Sequence, residues 1–222
     1  MEKHIVKVLA TRPITHNVKQ FDFEKPKGYK FIPGQATDVS LNRTGLKDDL
    51  HPFTFTSLND WDNLQFTIKL YTDHDGMTNK LQDINAGDEL IIHDVWGAIN
   101  FKGPGLFIAG GAGVTPFIAI LRQLYRDGNI KDCKLFFANR SAEDIILRDE
   151  FEMMLGDNFI NVLDKTDDPK FIQGHIDKQL LQKYATDDTQ YYYVCGPDKF
   201  TEAMVGFLEE MGKTKDQIVI EE

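Results

Sequence analysis

The sequence predicts a β + α/β protein, with an antiparallel β domain over residues 1–102 and a parallel-sheet α/β domain over residues 103–222. Three observations carry this. The first hundred residues hold short strand-like segments separated by turn clusters. After residue 103, apolar strands alternate with stretches of helical periodicity. Between them, near Phe101–Pro104, a Lys-Gly-Pro-Gly run makes a linker.

The β segments are HIVKVLATRPI, VKQFDFEK, ATDVSLN, PFTFTS, LQFTIKLY and ELIIHDVWG. The turns KPKGY, NDWDN, DHDG and NAGDE punctuate them. Strands at this spacing fit a closed antiparallel barrel or a sandwich. Within this domain MTNKLQDI reads as helical, with Leu81 and Ile84 three apart. The second domain runs GLFIAGG, VTPFIAILRQLYRDG, KLFFANR, AEDIILRDEFEMML, FINVLDK, HIDKQLLQKYA, YYYVCGP, DKFTEAMVGFLEEMG and QIVIEE. Strand and helix alternate throughout, which implies βαβ units and a parallel sheet.

Composition bounds the function. The 222 residues are 41% hydrophobic and 27% charged, as in an ordinary folded chain. No run approaches the roughly 18 apolar residues that span a bilayer. The start, MEKHIVKVLA, lacks a signal-peptide apolar block, so a cytoplasmic location is expected. Cys133 and Cys195 make no metal spacing, and no metal site is expected. The net charge is −10, of which residues 103–222 carry −8 (13 basic, 21 acidic). That balance argues against nucleic acid, whose affinity rests on Lys and Arg against phosphates. It also requires any anionic ligand to be held by local backbone donors.

Two turns supply such donors. LFIAGG runs into Gly113, Val114, Thr115 and Pro116, and then a helix. Glycines at 110, 111 and 113 allow a sharp turn and close approach of a phosphate, Thr115 is a candidate cap, and Pro116 suits a first helical turn. A strand-to-helix turn that needs glycine only for packing reads the same way, and the spacing is not GxGxxG. The second turn, Cys195-Gly196-Pro197, ends another strand on the same sheet edge, where ligands of open α/β sheets lie. By itself its thiol reads as structural. HPFTFTS, residues 51–57, alternates apolar and hydroxyl side chains and fits a core strand or a surface for a flat ligand.

Together these features resemble the ferredoxin–NADP reductase superfamily over nearly the whole chain. Phe31-Ile32-Pro33-Gly34-Gln35 matches the family's FxPGQ. HPFTFTS matches its Arg-x-Tyr-Ser-x-x-Ser flavin motif. Gly110–Pro116 completes GGxGxTP. Cys195-Gly196-Pro197-Asp198-Lys199-Phe200 matches CGPxxM, with Phe replacing Met. The resemblance implies a flavin-binding antiparallel β-barrel followed by a parallel-sheet NAD(P)-binding domain. It implies FAD rather than FMN, with NADPH or NADH as electron donor.

By that resemblance His51 and Pro52 lie by the flavin, with His51 near its phosphates. Phe53 packs on the ring, and Thr54 hydrogen-bonds near N5. Ile68 and Lys69 run beside the cofactor, and Gly76, Met77 and Thr78 form a pyrophosphate turn. Gly111, Gly113, Val114, Thr115 and Pro116 hold the dinucleotide pyrophosphate. Cys195, with Gly196 and Pro197, sits near the nicotinamide, and Glu221 matches an acidic residue near the flavin. Thr54, Cys195 and Glu221 are the expected catalytic residues. His51 stands where the family usually has Arg, and HPFT is similar to the motif of ferric reductases and NADPH oxidases. Arg140, with Ser141, follows the second strand of the α/β domain, where a guanidinium favours the 2′-phosphate of NADPH. The expected acceptor is a separate molecule: ferredoxin, flavodoxin, or a small acceptor such as free flavin, ferric chelate or quinone. A flavin-binding redox-sensor subunit is the non-catalytic alternative. Oligomeric state is left open.

Overall fold

The computed structural model describes residues 2–73, 75–97, 99–185 and 189–221. Six strands form the first sheet: β1 (His4–Thr15), β2 (Val18–Glu24), β3 (Ala36–Leu41), β4 (His51–Thr54), β5 (Asn63–Lys69) and β6 (Glu89–Trp96). Their order is β4-β3-β6-β1-β2-β5, and the pairing is antiparallel. The sheet closes on itself just beyond β4. Phe55 bridges Phe66 of β5, and the Thr56 N–H donates to the Gln65 carbonyl at 2.8 Å. The architecture is therefore a barrel, not a sandwich; closure leaves no edge on either strand at that end.

Aromatic rings fill the barrel. Phe55 stacks between Phe31 (4.4 Å between ring centroids) and Phe66 (5.3 Å). The alternation of HPFTFTS is thus split: Phe55 is core, while Phe53 is only half buried. The expected helix at MTNKLQDI is one α turn, α1 (Met77–Lys80), tightening to a 3₁₀ turn at Leu81–Asp83.

The second sheet is wholly parallel, in the order β10-β9-β8-β7-β11-β12. Its strands are β7 (Gly105–Gly110), β8 (Lys134–Asn139), β9 (Phe159–Leu163), β10 (Ile172–Gln173), β11 (Tyr191–Cys195) and β12 (Ile218–Ile220). Helices α2 (Thr115–Arg126), α3 (Arg148–Leu155), α4 (Lys178–Tyr184) and α5 (Asp198–Glu210) connect them. Apolar layers cover both faces, as a buried parallel sheet requires. Among the described residues no helix is long and apolar enough to cross a membrane.

One expected element differs. AEDIILRDEFEMML is not a single helix. A short 3₁₀ turn at Ala142–Asp144 ends at Ile145, and α3 begins only at Arg148 after Leu147, a left-handed residue with φ 50°. Asp144 explains the stop: its carboxylate accepts from both the N–H and the hydroxyl of Ser141, so the turn closes on its own cap. Ile145 and Ile146 are both buried in the apolar core between the two elements.

The two sheets share packing. Val18 and Ile99 sit in the apolar cluster of the second domain, against α2. Gly34 (φ +96°) lies where a Cβ would stand 1.8 Å from the Ile99 carbonyl oxygen, so only glycine fits. Arg122 on α2 is 8% exposed and crosses the seam. Its Nη1 donates to the Thr56 carbonyl (2.5 Å) and to Gln65 Oε1 (2.8 Å), while Nε and Nη2 grip Glu150 on α3 (2.5 and 2.8 Å). Gln65 Oε1 also accepts from Gln20 and Thr56, and Gln65 Nε2 donates to Asp22. The connecting segment is tied too. Tyr193, fully buried, accepts from the N–H groups of Lys102 and Gly103 and donates to the Gly103 carbonyl at 2.8 Å. Burial pushes its hydroxyl up to about 12, although the two N–H donors pull the other way.

Gly34→Ala is expected to destabilise by more than about 3 kcal/mol, since it adds both a clash and an unfavourable φ. Tyr192→Phe is expected to be neutral or to stabilise by up to about 1 kcal/mol, because the Tyr192 hydroxyl is buried without a partner. Urea unfolding of both variants checks the pair.

Candidate active site

Strand order reverses at β7, which has β8 on one side and β11 on the other. A parallel sheet splays at such a switch point, and the crevice opens at the carboxyl ends of the strands. Here the crevice faces the barrel. A cleft of about 470 Å³ lies between them, in the range of cofactor sites. Its sheet side consists of Gly110–Gly113, Thr115, Cys195–Pro197 and Glu221. Its barrel side consists of Pro52, Phe53, Thr54 and Ala36, then Thr67, Ile68, Lys69, Tyr71 and Thr78.

The two turns on the sheet side are pressed together. A Cβ on Gly113 would stand 2.3 Å from the Cys195 carbonyl oxygen and 2.6 Å from the Gly196 Cα. A Cβ on Gly196 would meet the Phe200 ring at 2.6 Å, and one on Gly110 would meet that ring at 3.0 Å. Phe200, at the family's Met position, therefore floors both glycine turns. Gly111 (φ +53°) is different: a Cβ there meets nothing within 4 Å, so its backbone faces open cleft.

Thr115 does not cap α2 as expected. Its hydroxyl donates to the Ala112 carbonyl (3.0 Å), and no side chain caps the helix. The 3₁₀ turn Gly111–Val114 runs directly into α2, the Thr115 N–H donates to the Ala112 carbonyl and Pro116 has no N–H, so the backbone presented to a ligand at the positive end of the helix dipole is that of the glycine turn. Val114 and Pro116 are buried behind this turn, off the cleft wall.

Cys195 is 8% exposed at the cleft, with its Sγ 3.6 Å from a Glu221 carboxylate oxygen. Burial, and then the charge and hydrogen bond of Glu221, push the thiol up to about 12. It is a protonated, neutral donor at any ordinary pH.

A second bay of about 1110 Å³ continues the cleft past Lys69, Tyr71, Gly110, Gly111 and Pro197. Arg140 and Ser141 line it, with Asp144, Asp164 and His175. Arg140 is exposed, and among the described residues it makes no ion pair; Asp144 is engaged by Ser141 and by His16 (3.7 Å). Asn139, at the end of β8, also lines the bay, and its Nδ2 is buried without a partner. Buried donors are normally satisfied, so this one suits a bound acceptor.

His51, Gly76 and Met77 lie off the cleft wall. The His51 Nε2 pairs with Asp49 at 2.9 Å, and Lys80 reaches the same carboxylate (3.9 Å). Met77 is buried in the barrel core, and Gly76 precedes α1. Thr78 faces the cleft, and its hydroxyl accepts from the Tyr71 N–H. Sequence reading missed Ala36, Thr67 and Tyr71. Thr67 was within reach of it, because TIKLY alternates, so Thr67 and Lys69 share a face. Among the described residues no cluster of His, Cys, Asp or Glu could hold a metal ion.

Two family models match this chain: an FAD-binding domain over residues 3–94 and an oxidoreductase NAD-binding domain over residues 107–206. The reductase component of propane 2-monooxygenase from Rhodococcus jostii is 26% identical over 231 residues, covering 96% of this chain and 61% of that protein. NADH-cytochrome b5 reductase 2 from Mycosarcoma maydis is 29% identical over 220 residues, covering 88% of this chain and 62% of that protein. The chain thus spans about three-fifths of these relatives. A ferredoxin NADP+ reductase from Neisseria gonorrhoeae, solved with FAD and NADP bound, superposes with a TM-score of 0.87 at 18% identity over 99% of this chain and 98% of that one. That likeness shows the fold.

Gly113→Ala is expected to push the two turns apart and raise the KM for the pyridine nucleotide at least about tenfold, with far-UV circular dichroism unchanged. For Cys195 the sign is set by a folded pKa raised from 9.0 to about 12. Its contribution to stability is fully present below pH 9 and is lost as pH rises toward 12. Cys195→Ser should therefore flatten part of the alkaline fall in urea midpoint between those values, leaving the profile below pH 9 parallel to wild type.

Proposed function

This chain belongs to the ferredoxin–NADP reductase superfamily of FAD-dependent NAD(P)H oxidoreductases, and on that premise we propose that it takes hydride from NAD(P)H and passes electrons to a separate acceptor. One observation carries the reading. A glycine turn at the start of α2 meets a half-buried aromatic strand across a single cleft. The residues present fit both groups: glycines that leave room for a phosphate, an orphan donor at Asn139, and Phe53 and Thr54 opposite.

FAD held there would supply the hydride-accepting and electron-releasing chemistry, which belongs to the cofactor itself. The residues orient and enclose. Phe53 offers a ring face, Thr54 a hydroxyl for the region of N5, and Ile68 and Lys69 the flank along β5. Thr78 and its neighbours Gly76 and Met77 supply backbone donors at the far end. Lys80, and His51 tied to Asp49, stand at the same end. Gly111, Gly113 and the first turn of α2 receive the dinucleotide pyrophosphate, with Val114 and Pro116 shaping that turn from behind. Cys195 and Glu221 close the end by Gly196 and Pro197, and the neutral thiol keeps a proton at Sγ rather than placing a second negative charge beside Glu221. Arg140, unpaired in the second bay beside Ser141, favours NADPH over NADH. The acceptor class suggested by the resemblance is ferredoxin or flavodoxin, with small acceptors as the other possibility.

Purified protein should be yellow, and NADPH should bleach it without oxygen. A colourless protein that takes up no FAD would sink the reading. Arg140→Ala should lower the ratio of kcat/KM for NADPH to that for NADH about tenfold, the scale of one charge-assisted phosphate contact. An unchanged ratio removes the basis for NADPH. His51→Arg should hold FAD at least as tightly as wild type, read by flavin fluorescence on dilution.

A further inference from the structure

The cleft has an apolar shoulder that neither cofactor accounts for. In the antiparallel pairing Ala36 stands opposite Thr54 on one side and Trp96 on the other. Directly opposed residues share a face. Thr54 and Ala36 line the cleft, so Trp96 extends that same face two strands away, about 10 Å from Thr54. Along β4 the face continues through Pro52, which lines the cleft, and Leu50, just before the strand begins at His51, lies at most about 13 Å from Thr54. Trp96 is 38% and Leu50 40% exposed. Phe53 and Val95, one residue away on their strands, pack against the barrel core, and Phe53 also reaches the cleft wall. An indole, a proline and a leucine are thus displayed outward on the rim of the redox cleft, where the alternation could have set polar side chains.

Acidic groups flank this strip. Asp38 pairs with Pro52 and so shares the face, and Asp94 lies two residues before Trp96 on β6. The wider field has the same sign, at −10 for the chain and −8 for residues 103–222. Against a field of that sign an acidic carrier is disfavoured and a basic one is steered in. The strip, roughly 10 by 13 Å, exceeds one small ring and suits the compact interfaces of electron-transfer encounters.

We propose that Trp96, Leu50 and Pro52 form the docking face for a one-electron carrier protein with a basic rim. The proposal rests on the separate-acceptor reading above and narrows it, turning away from acidic ferredoxin or flavodoxin. Each NAD(P)H oxidised supplies two electrons and reduces two carrier molecules, with NAD(P)+ and one proton as the other products.

Three probes separate the outcomes: cytochrome c as a basic carrier, a plant-type ferredoxin as an acidic one, and menadione as a small planar acceptor. The holoenzyme should reduce cytochrome c with a kcat/KM at least about tenfold above ferredoxin, falling as salt is added. Trp96→Ala should cut the cytochrome c value about tenfold, as loss of a central aromatic anchor does, while anaerobic bleaching by NAD(P)H keeps its wild-type rate. Asp38→Asn with Asp94→Asn should flatten the salt dependence. Calorimetric titration of the oxidised holoprotein with oxidised cytochrome c needs no turnover, and should show binding that Trp96→Ala loses. Preference for ferredoxin overturns the proposal. So does a Trp96→Ala variant equal to wild type in titration and turnover, or one slowed with menadione alone. Absence of bleaching would instead strike the reductase reading, and the titration would still decide the docking face.

Discussion

Everything at the cleft depends on the arginine that crosses the domain seam. Arg122 is buried, and a buried guanidinium is tolerable only when its donors are met. Glu150 meets two of them within its own domain, and the barrel meets two more through Thr56 and Gln65. Thr56 directly follows the Phe53–Phe55 strand, and Gln65 precedes Thr67 and Lys69. The charge therefore grips, from behind, the two strands whose front faces line the cleft. Gln65 distributes the grip further, to Gln20 and Asp22 on β2. The distance between the barrel wall and the glycine turns is set by that network and by Gly34 against Ile99.

The glycines divide the labour of closeness. Gly34 and Gly113 let backbones touch: one joins the two domains, and the other joins the two turns of a single sheet edge. Gly111 lets the backbone turn toward empty space instead. A motif such as GGxGxTP thus mixes a packing requirement with a binding requirement. The packing glycine keeps Cys195 within the cleft, and the binding glycine keeps the turn before α2 free of a side chain.

Much of this was legible in the sequence, because strands of period two and helices of period 3.6 differ so plainly on either side of residue 103. Local patterns could not specify the rest. The helix expected across Ile145–Leu147 had good apolar spacing, but Asp144 closes a capping turn with Ser141 and the chain extends. Arg122 reads as an ordinary polar position on an amphipathic helix; its partners are 57 and 66 residues away. Thr115 looked like a cap and bonds back to Ala112 instead. The pairing of His51 Nε2 with Asp49, two residues before it, likewise did not show in the motif. In each instance a partner for one hydrogen bond, distant in sequence or only two or three residues away, decided the local geometry.

The linker grip of Tyr193 has a consequence for how this molecule is dismantled. Connections between domains are ordinarily where proteases cut, because such backbone is exposed and free to enter an active site. Here Lys102 and Gly103 are bonded to a hydroxyl at the centre of the second domain. Cleavage there requires that Tyr193 first let go, and Tyr193 is stacked on Phe107 in the middle of the parallel sheet. The peptide bonds that look most vulnerable in the sequence are thereby guarded by the stability of the whole second domain.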